Sequence, residues 1–183
     1  MHSWVETSRE LVLKTNLFRL FRVGFRSRGS GKEGKFDVLE TKDWVNVVPV
    51  TSAGNVLIVR QFRFGSGEDT LEFPAGTVDP GEDPAHTAVR ELAEETGAKG
   101  GLWTTLGTCR PNPAIQTNTC HHYAVEGLSP DLGPVKFDEH EEIALMQVPL
   151  GEIDGMISKG EISHALTIVS WHLYKAYKGA AQL

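Results

Sequence analysis

Residues 76–98, GTVDPGEDPAHTAVRELAEETGA, constrain this chain more than any other segment. Asp79, Pro80 and Gly81 make a turn, Asp83 can cap a helix, and Pro84 falls at the first helical position, where its missing N–H is no loss. The helix reads AHTAVRELAEET and stops at Gly97, a residue suited to a left-handed C-terminus. Glu91, Glu94 and Glu95 recur three and four apart, so three carboxylates share one face beside Arg90. Like charges at that spacing repel, and a divalent cation accounts for them better than solvation alone. Beside or opposite them, Ala85, Ala88, Val89, Leu92 and Ala93 form an apolar stripe whose small alanines let the helix lie close on a sheet.

Around this helix the pattern is mostly strand. Residues 5–23 alternate loosely, as edge strands do, with a short helix as the other reading, and the Gly- and Lys-rich residues 27–35 read as a hairpin loop before a partner strand at 36–39. The runs WVNVVPV (44–50) and VLIVRQF (56–62), parted by TSAG, predict a central hairpin. Strands follow at 71–73, 102–109, 119–126 and 143–148, a helix begins at 150–158, and Leu166, Val169, Leu173 and Tyr177 mark a closing helix over 163–178. The expected class is α/β of the α+β type: a mixed sheet between helices, preceded by an antiparallel β region. The chain's 183 residues suit one domain of ordinary size with a substantial core.

Charge and cysteine usage narrow the partners. Eighteen Lys and Arg against 24 Asp and Glu give a net charge of −6, with no long basic run, which argues against nucleic acid. The N-terminal residues lack a signal-peptide profile and no apolar run is long enough for a bilayer, so the expectation is a soluble cytoplasmic protein with no membrane partner. Cys109 and Cys120 have no CxxC spacing and read as ordinary reduced cysteines in or near strands. His121 and His122 follow Cys120 without a second ligand pair, and on a strand they point to opposite faces.

The order Gly76, five residues, Glu82, seven residues, then Arg90, Glu91, Leu92, Ala93, Glu94, Glu95, Thr96, Gly97 resembles the Nudix signature at every charged and glycine position. Ala98 departs from it, standing where the family usually has a bulky aliphatic residue that packs rather than reacts. The resemblance implies a Nudix fold, with residues 1–42 as an N-terminal β region, possible to exchange in a dimer, and 43–183 as the hydrolase domain. It implies Mg2+, with Mn2+ as the alternative, held by Glu91, Glu94, Glu95 and the Ala75 carbonyl. Oxygen donors suit such a hard ion. Arg90, grouped with the catalytic residues, holds a carboxylate in its planar fork, Glu82 ties the loop to Arg90, and Gly76 and Gly97 are structural.

The same resemblance draws in residues outside the box. In Nudix enzymes that cleave ADP-ribose the general base comes from a later loop, and FDEHEEI at 137–143 is the counterpart, with Glu141 first, Glu139 next and Glu142 third. VRQFRFG resembles the ADP-ribose pyrophosphatase branch, where an arginine contacts the diphosphate; Arg63 matches, with Arg60 the alternative. LEFPAG is close to that branch's approach to the box, and Pro113, sixteen positions after Gly97, matches a proline associated with ADP-ribose enzymes. The implied activity is hydrolysis of ADP-ribose or another nucleoside diphosphate sugar to a nucleoside monophosphate and a sugar phosphate, by a homodimer. GDP-mannose, a dinucleotide or NADH are alternative substrates, and a non-catalytic nucleotide sensor is the alternative class. Phe18, Phe21, Phe25 and Trp44 are available for base stacking, though each also reads as a core residue.

Overall fold

The computed structural model describes residues 3–135 and 142–180. They form two compact units: Met1–Asp43 with Arg110–Thr119, and Trp44–Cys109 with Cys120–Leu183.

The first unit is an antiparallel sheet of β1 (Trp4–Lys14), β2 (Phe18–Ser27) and β3 (Glu33–Thr41), in that order. The stretch with two readings, 5–23, is therefore two strands. A turn parts them, in which the Thr15 hydroxyl accepts from the amides of Leu17 and Phe18 at 3.2 and 3.0 Å. The second loop is shorter than 27–35, because Arg26 already pairs with Glu33. Aromatic edges knit the strands, with Phe36 standing 5.9 Å from Phe25 and 6.1 Å from Trp4. Residues Arg110–Thr119 join through Leu39, whose N–H donates to the Ile115 carbonyl and whose carbonyl accepts from Thr117.

The second unit carries a seven-stranded mixed sheet. Its strands are β4 (Trp44–Thr51), β5 (Asn55–Arg63), β6 (Glu68–Glu72), β7 (Ala75–Thr77), β8 (Leu102–Cys109), β9 (Cys120–Leu128) and β10 (Ile143–Pro149). The path is β10-β5-β4-β9-β8, parallel at β4–β9 and antiparallel elsewhere, with β6 on β5 and β7 on β4. The expected central hairpin is present but pairs at Val50↔Val56 and then opens. β6 takes the edge of β5 from Val59 onward, and β7 takes the edge of β4 at Trp44–Asn46. That wedge brings Ala75 and Gly76 beside β4, where Val47 N–H donates to the Pro74 carbonyl at 2.9 Å.

The period of two along each strand divides the core. Val45, Val47, Leu57, Tyr123 and Val125 pack with Ala88 and Leu92 of α1 (Pro84–Thr96). Val48, Val50, Val56, Ile58 and Ala124 pack with Ile153 of α2 (Ile153–Ser158) and with Trp171 and Tyr174 of α3 (Ala165–Ala180). Helices thus cover both faces of a mixed sheet, as expected. Among the described residues, no helix is long and apolar enough to cross a membrane.

Both long helices are rotated from their expected stripes. In α1 the buried residues are Thr87, Ala88, Leu92, Glu95 and Thr96, while Ala85 and Val89 face solvent. The two threonine hydroxyls donate to Asp83 and Leu92 carbonyls at 3.4 and 2.6 Å, so they enter the core already satisfied. In α3 the buried residues are Thr167, Ser170, Trp171 and Tyr174, and Tyr177 is exposed. Apolar spacing misread this helix because the sheet beneath it offers polar partners: Thr167 accepts from Phe73 N–H, Ser170 donates to Asn46, and Tyr174 donates to Glu126.

Candidate active site

Local signals set the box helix as the sequence requires. The Asp83 carboxylate accepts from Ala85 N–H at 2.8 Å, and Gly97 closes the helix at φ 70°. Gly76 is needed for room: a Cβ there would lie 2.1 Å from the Glu91 carboxylate. Glu91 is thereby laid directly on the backbone of β7, and the buried Glu95 accepts from Ala75 N–H at 3.3 Å.

Arg90 gathers the rest. Its Nε and Nη2 fork onto Glu82 at 3.2 and 3.1 Å, while Nη1 donates to Glu91 at 2.8 Å and Glu94 at 3.0 Å. The Arg90 hydrogen bond, helped by Thr87, holds the Glu82 carboxyl down to about 2. Those same carboxylates, Glu82 foremost, push the Arg90 pKa up, so the fork stays charged. Among the described residues, no three His, Cys, Asp or Glu side chains converge at ligating distance. Glu91 and Glu94 are turned onto the guanidinium instead. The donors around Gly76 are nonetheless all oxygen, which fits a hard divalent cation rather than a thiolate-seeking metal.

Beside this cluster lies a cleft of about 210 Å³ lined by Trp44, Arg63, Ala75, Gly76, His164 and Leu166, among others. Arg63 stands at its edge, held bidentately by Glu72 through Nε and Nη2, both at 2.7 Å. Glu72 is wholly buried and also accepts from the Thr70 hydroxyl, while His164 Nδ1 lies 3.1 Å from it. Burial pushes the Glu72 pKa up, but Arg63, His164 and Thr70 outweigh it and leave it below the ordinary value. Burial moves His164 the other way, favouring the neutral ring.

The second unit thus brings Arg63, Ala75, Gly76, Glu82, Arg90, Glu91, Glu94, Glu95 and Gly97 together around one helix and one cleft edge. Arg60 has the opposite strand parity and is exposed. Pro113 is exposed in the Arg110–Thr119 segment of the first unit. Glu139 and Glu141 lie outside the described residues, and Glu142 is exposed just before β10. Sequence reading assigned no part to Glu72 or His164. The Glu of LEFPAG was a usable signal, since its register places it opposite Val59 on the strand that carries Arg63. His164 comes from a distant turn and left no trace in the local pattern.

The NUDIX domain family matches residues 41–167. An ADP-ribose pyrophosphatase of Bacillus subtilis is 31% identical over 75% of this chain and 75% of its own length. The methanol dehydrogenase activator of Bacillus methanolicus is 29% identical over 77% of this chain and 76% of its own. A crystal structure of an ADP compounds hydrolase superposes with a TM-score of 0.86 at 21% identity, covering 100% of this chain and 98% of that one.

Proposed function

This chain belongs to the Nudix family, and from that premise we propose that it hydrolyses the diphosphate bond of a nucleoside diphosphate sugar, with ADP-ribose first, giving AMP and ribose 5-phosphate. The observation that carries this is the Arg90 fork, which gathers Glu82, Glu91 and Glu94, with Glu91 laid on Gly76, next to a cleft edged by a clamped Arg63. The Bacillus subtilis relative named for ADP-ribose supports the substrate.

Nudix hydrolases generally need divalent metal ions, and here Mg2+, or Mn2+, is the cofactor proposed, held by Glu91, Glu94, Glu95 and the Ala75 carbonyl. When bound, it neutralises diphosphate oxygens and lowers the pKa of water near the phosphorus. Arg90, which bonds Glu91 and Glu94 here, would give them up to such an ion while its fork on Glu82 would keep the loop before the helix in place. Arg63, fixed in its plane by Glu72, orients the diphosphate at the cleft edge. Glu141, or else Glu139, accepts the proton of the attacking water. Leu11, Val12 and Leu13 of β1 are apolar and half-exposed, which supports a homodimer through the N-terminal sheet, in a cytoplasmic protein with no nucleic-acid or membrane partner.

The test is turnover with magnesium on ADP-ribose, GDP-mannose, NADH, diadenosine polyphosphates and nucleoside triphosphates. Cleavage of ADP-ribose to AMP is the expected result, and exclusive cleavage of triphosphates would overturn the reading. Glu95→Gln is expected to remove turnover with the fold intact; full activity in it would dismiss the metal assignment.

A further inference from the structure

β8 ends at Cys109 and β9 begins at Cys120, and the antiparallel register sets the two directly opposite each other. Antiparallel partners stand about 4.5–5.5 Å apart at Cα, inside the roughly 4.4–6.8 Å that a disulfide spans. Between them the chain makes the Arg110–Thr119 excursion, so the pair sits at the neck of that loop. Both thiols are reduced; Cys109 is partly exposed and Cys120 is buried.

The surroundings fix where the protons point. Ser170 donates its one proton to Asn46 Oδ1 at 2.5 Å, so its oxygen must accept from His122 Nδ1 at 2.6 Å. That tautomer leaves His122 Nε2 as an acceptor, and it lies 3.1 Å from Cys109 Sγ. The Cys109 S–H therefore points at the imidazole. Burial pushes the Cys109 thiol up, and a hydrogen bond with the Cys120 side chain offsets part of that. The register faces the two residues, and Cys109, the outer one, is in reach of solvent.

We propose that Cys109 and Cys120 are a reversible dithiol–disulfide site that clasps the neck of the 110–119 loop, oxidised by a low-molecular-weight disulfide. The Cys109 thiolate attacks one sulfur of the oxidant, whose S–S bond breaks; the departing thiolate takes up the proton that Cys109 lost, and a mixed disulfide remains. Cys120 then gives up its proton, attacks Cys109 Sγ and displaces the second small thiol. Two protein thiols lose two electrons and two protons, and one small disulfide becomes two thiols. Excess small thiol reverses both steps.

The full-length protein is treated with oxidised glutathione, its remaining thiols are alkylated under native and then denaturing conditions, and its mass and peptides are read. The expected result is a loss of about 2 Da with a Cys109–Cys120 cross-linked peptide. Cys120→Ser is expected to accumulate a glutathione adduct at Cys109, and Cys109→Ser to form none at the buried Cys120. A stable adduct at Cys109 in the wild type without the cross-link, an intermolecular disulfide, or no reaction of the folded protein would each overturn the proposal. The wild-type peptide map decides even where a variant fails to fold, and it reads mass rather than turnover, so it stands apart from the hydrolysis assignment.

Discussion

The two faces of the central sheet solve the same packing problem with opposite chemistry. On the α1 side the polar groups are charged and partly open to solvent: Arg90 and Glu94 are each about a third exposed, at 35% and 37%. On the α3 side a neutral set is sealed in: Asn46, His122, Thr167 and Ser170 are wholly buried, and Ser170 bridges His122 to Asn46. Charge kept near water is cheap to rearrange and so can be handed to a ligand. A buried neutral chain is costly to disturb, and it serves to lock α3 in register on β4 and β9.

Acid is expected to break this contrast most strongly. Burial, with some repulsion from His121, holds the His122 pKa down to about 4, against an unfolded value near 6.5. The unfolded chain therefore binds the proton first, so the contribution is complete above pH 6.5 and is lost as pH falls towards 4. It amounts to on the order of 3 kcal/mol. Denaturant melts across that window in the wild type and in His122→Gln measure it, and equal acid dependence in both would deny His122 the role.

Next in size, Ser170→Ala strands His122 Nδ1 and Asn46 Oδ1 in the core and is expected to cost about 2 kcal/mol of stability. Its turnover per folded molecule should stay close to wild type. On the other face the effects should invert. Arg90→Gln is expected to lower turnover about tenfold or more, by analogy with the groups that orient metal ligands, while stability shifts by less than about 1 kcal/mol. A large stability loss there would mean that the α1 cluster is structural after all. Glu82→Gln is the mildest: it weakens one arm of the fork and should raise the magnesium concentration needed for half-maximal turnover, with melting nearly unchanged.

Legibility followed the range of the interaction. The box helix was readable to its ends because Asp83, Pro84 and Gly97 act within a turn of their own positions. Strand positions were readable because alternation is local. The buried faces of both helices were not, since Thr87, Thr96, Thr167 and Ser170 look like surface residues until their hydroxyls are seen to be bonded. In the same way Arg63 drew notice as a substrate contact, while the buried Glu72 that fixes it did not, because a carboxylate in a strand reads as solvent-facing.

By itself the sequence determined the helix, the glutamate spacing on it, the strand alternation and hence the family resemblance, all of which follow from residue types a few positions apart. Only the tertiary structure decided that β6 and β7 wedge between β4 and β5, that the buried Glu72 clamps Arg63 at the cleft, and that Cys109 faces Cys120 beside His122. Those are choices of pairing partner and register between distant segments, and a chain read in order carries no local signal for them.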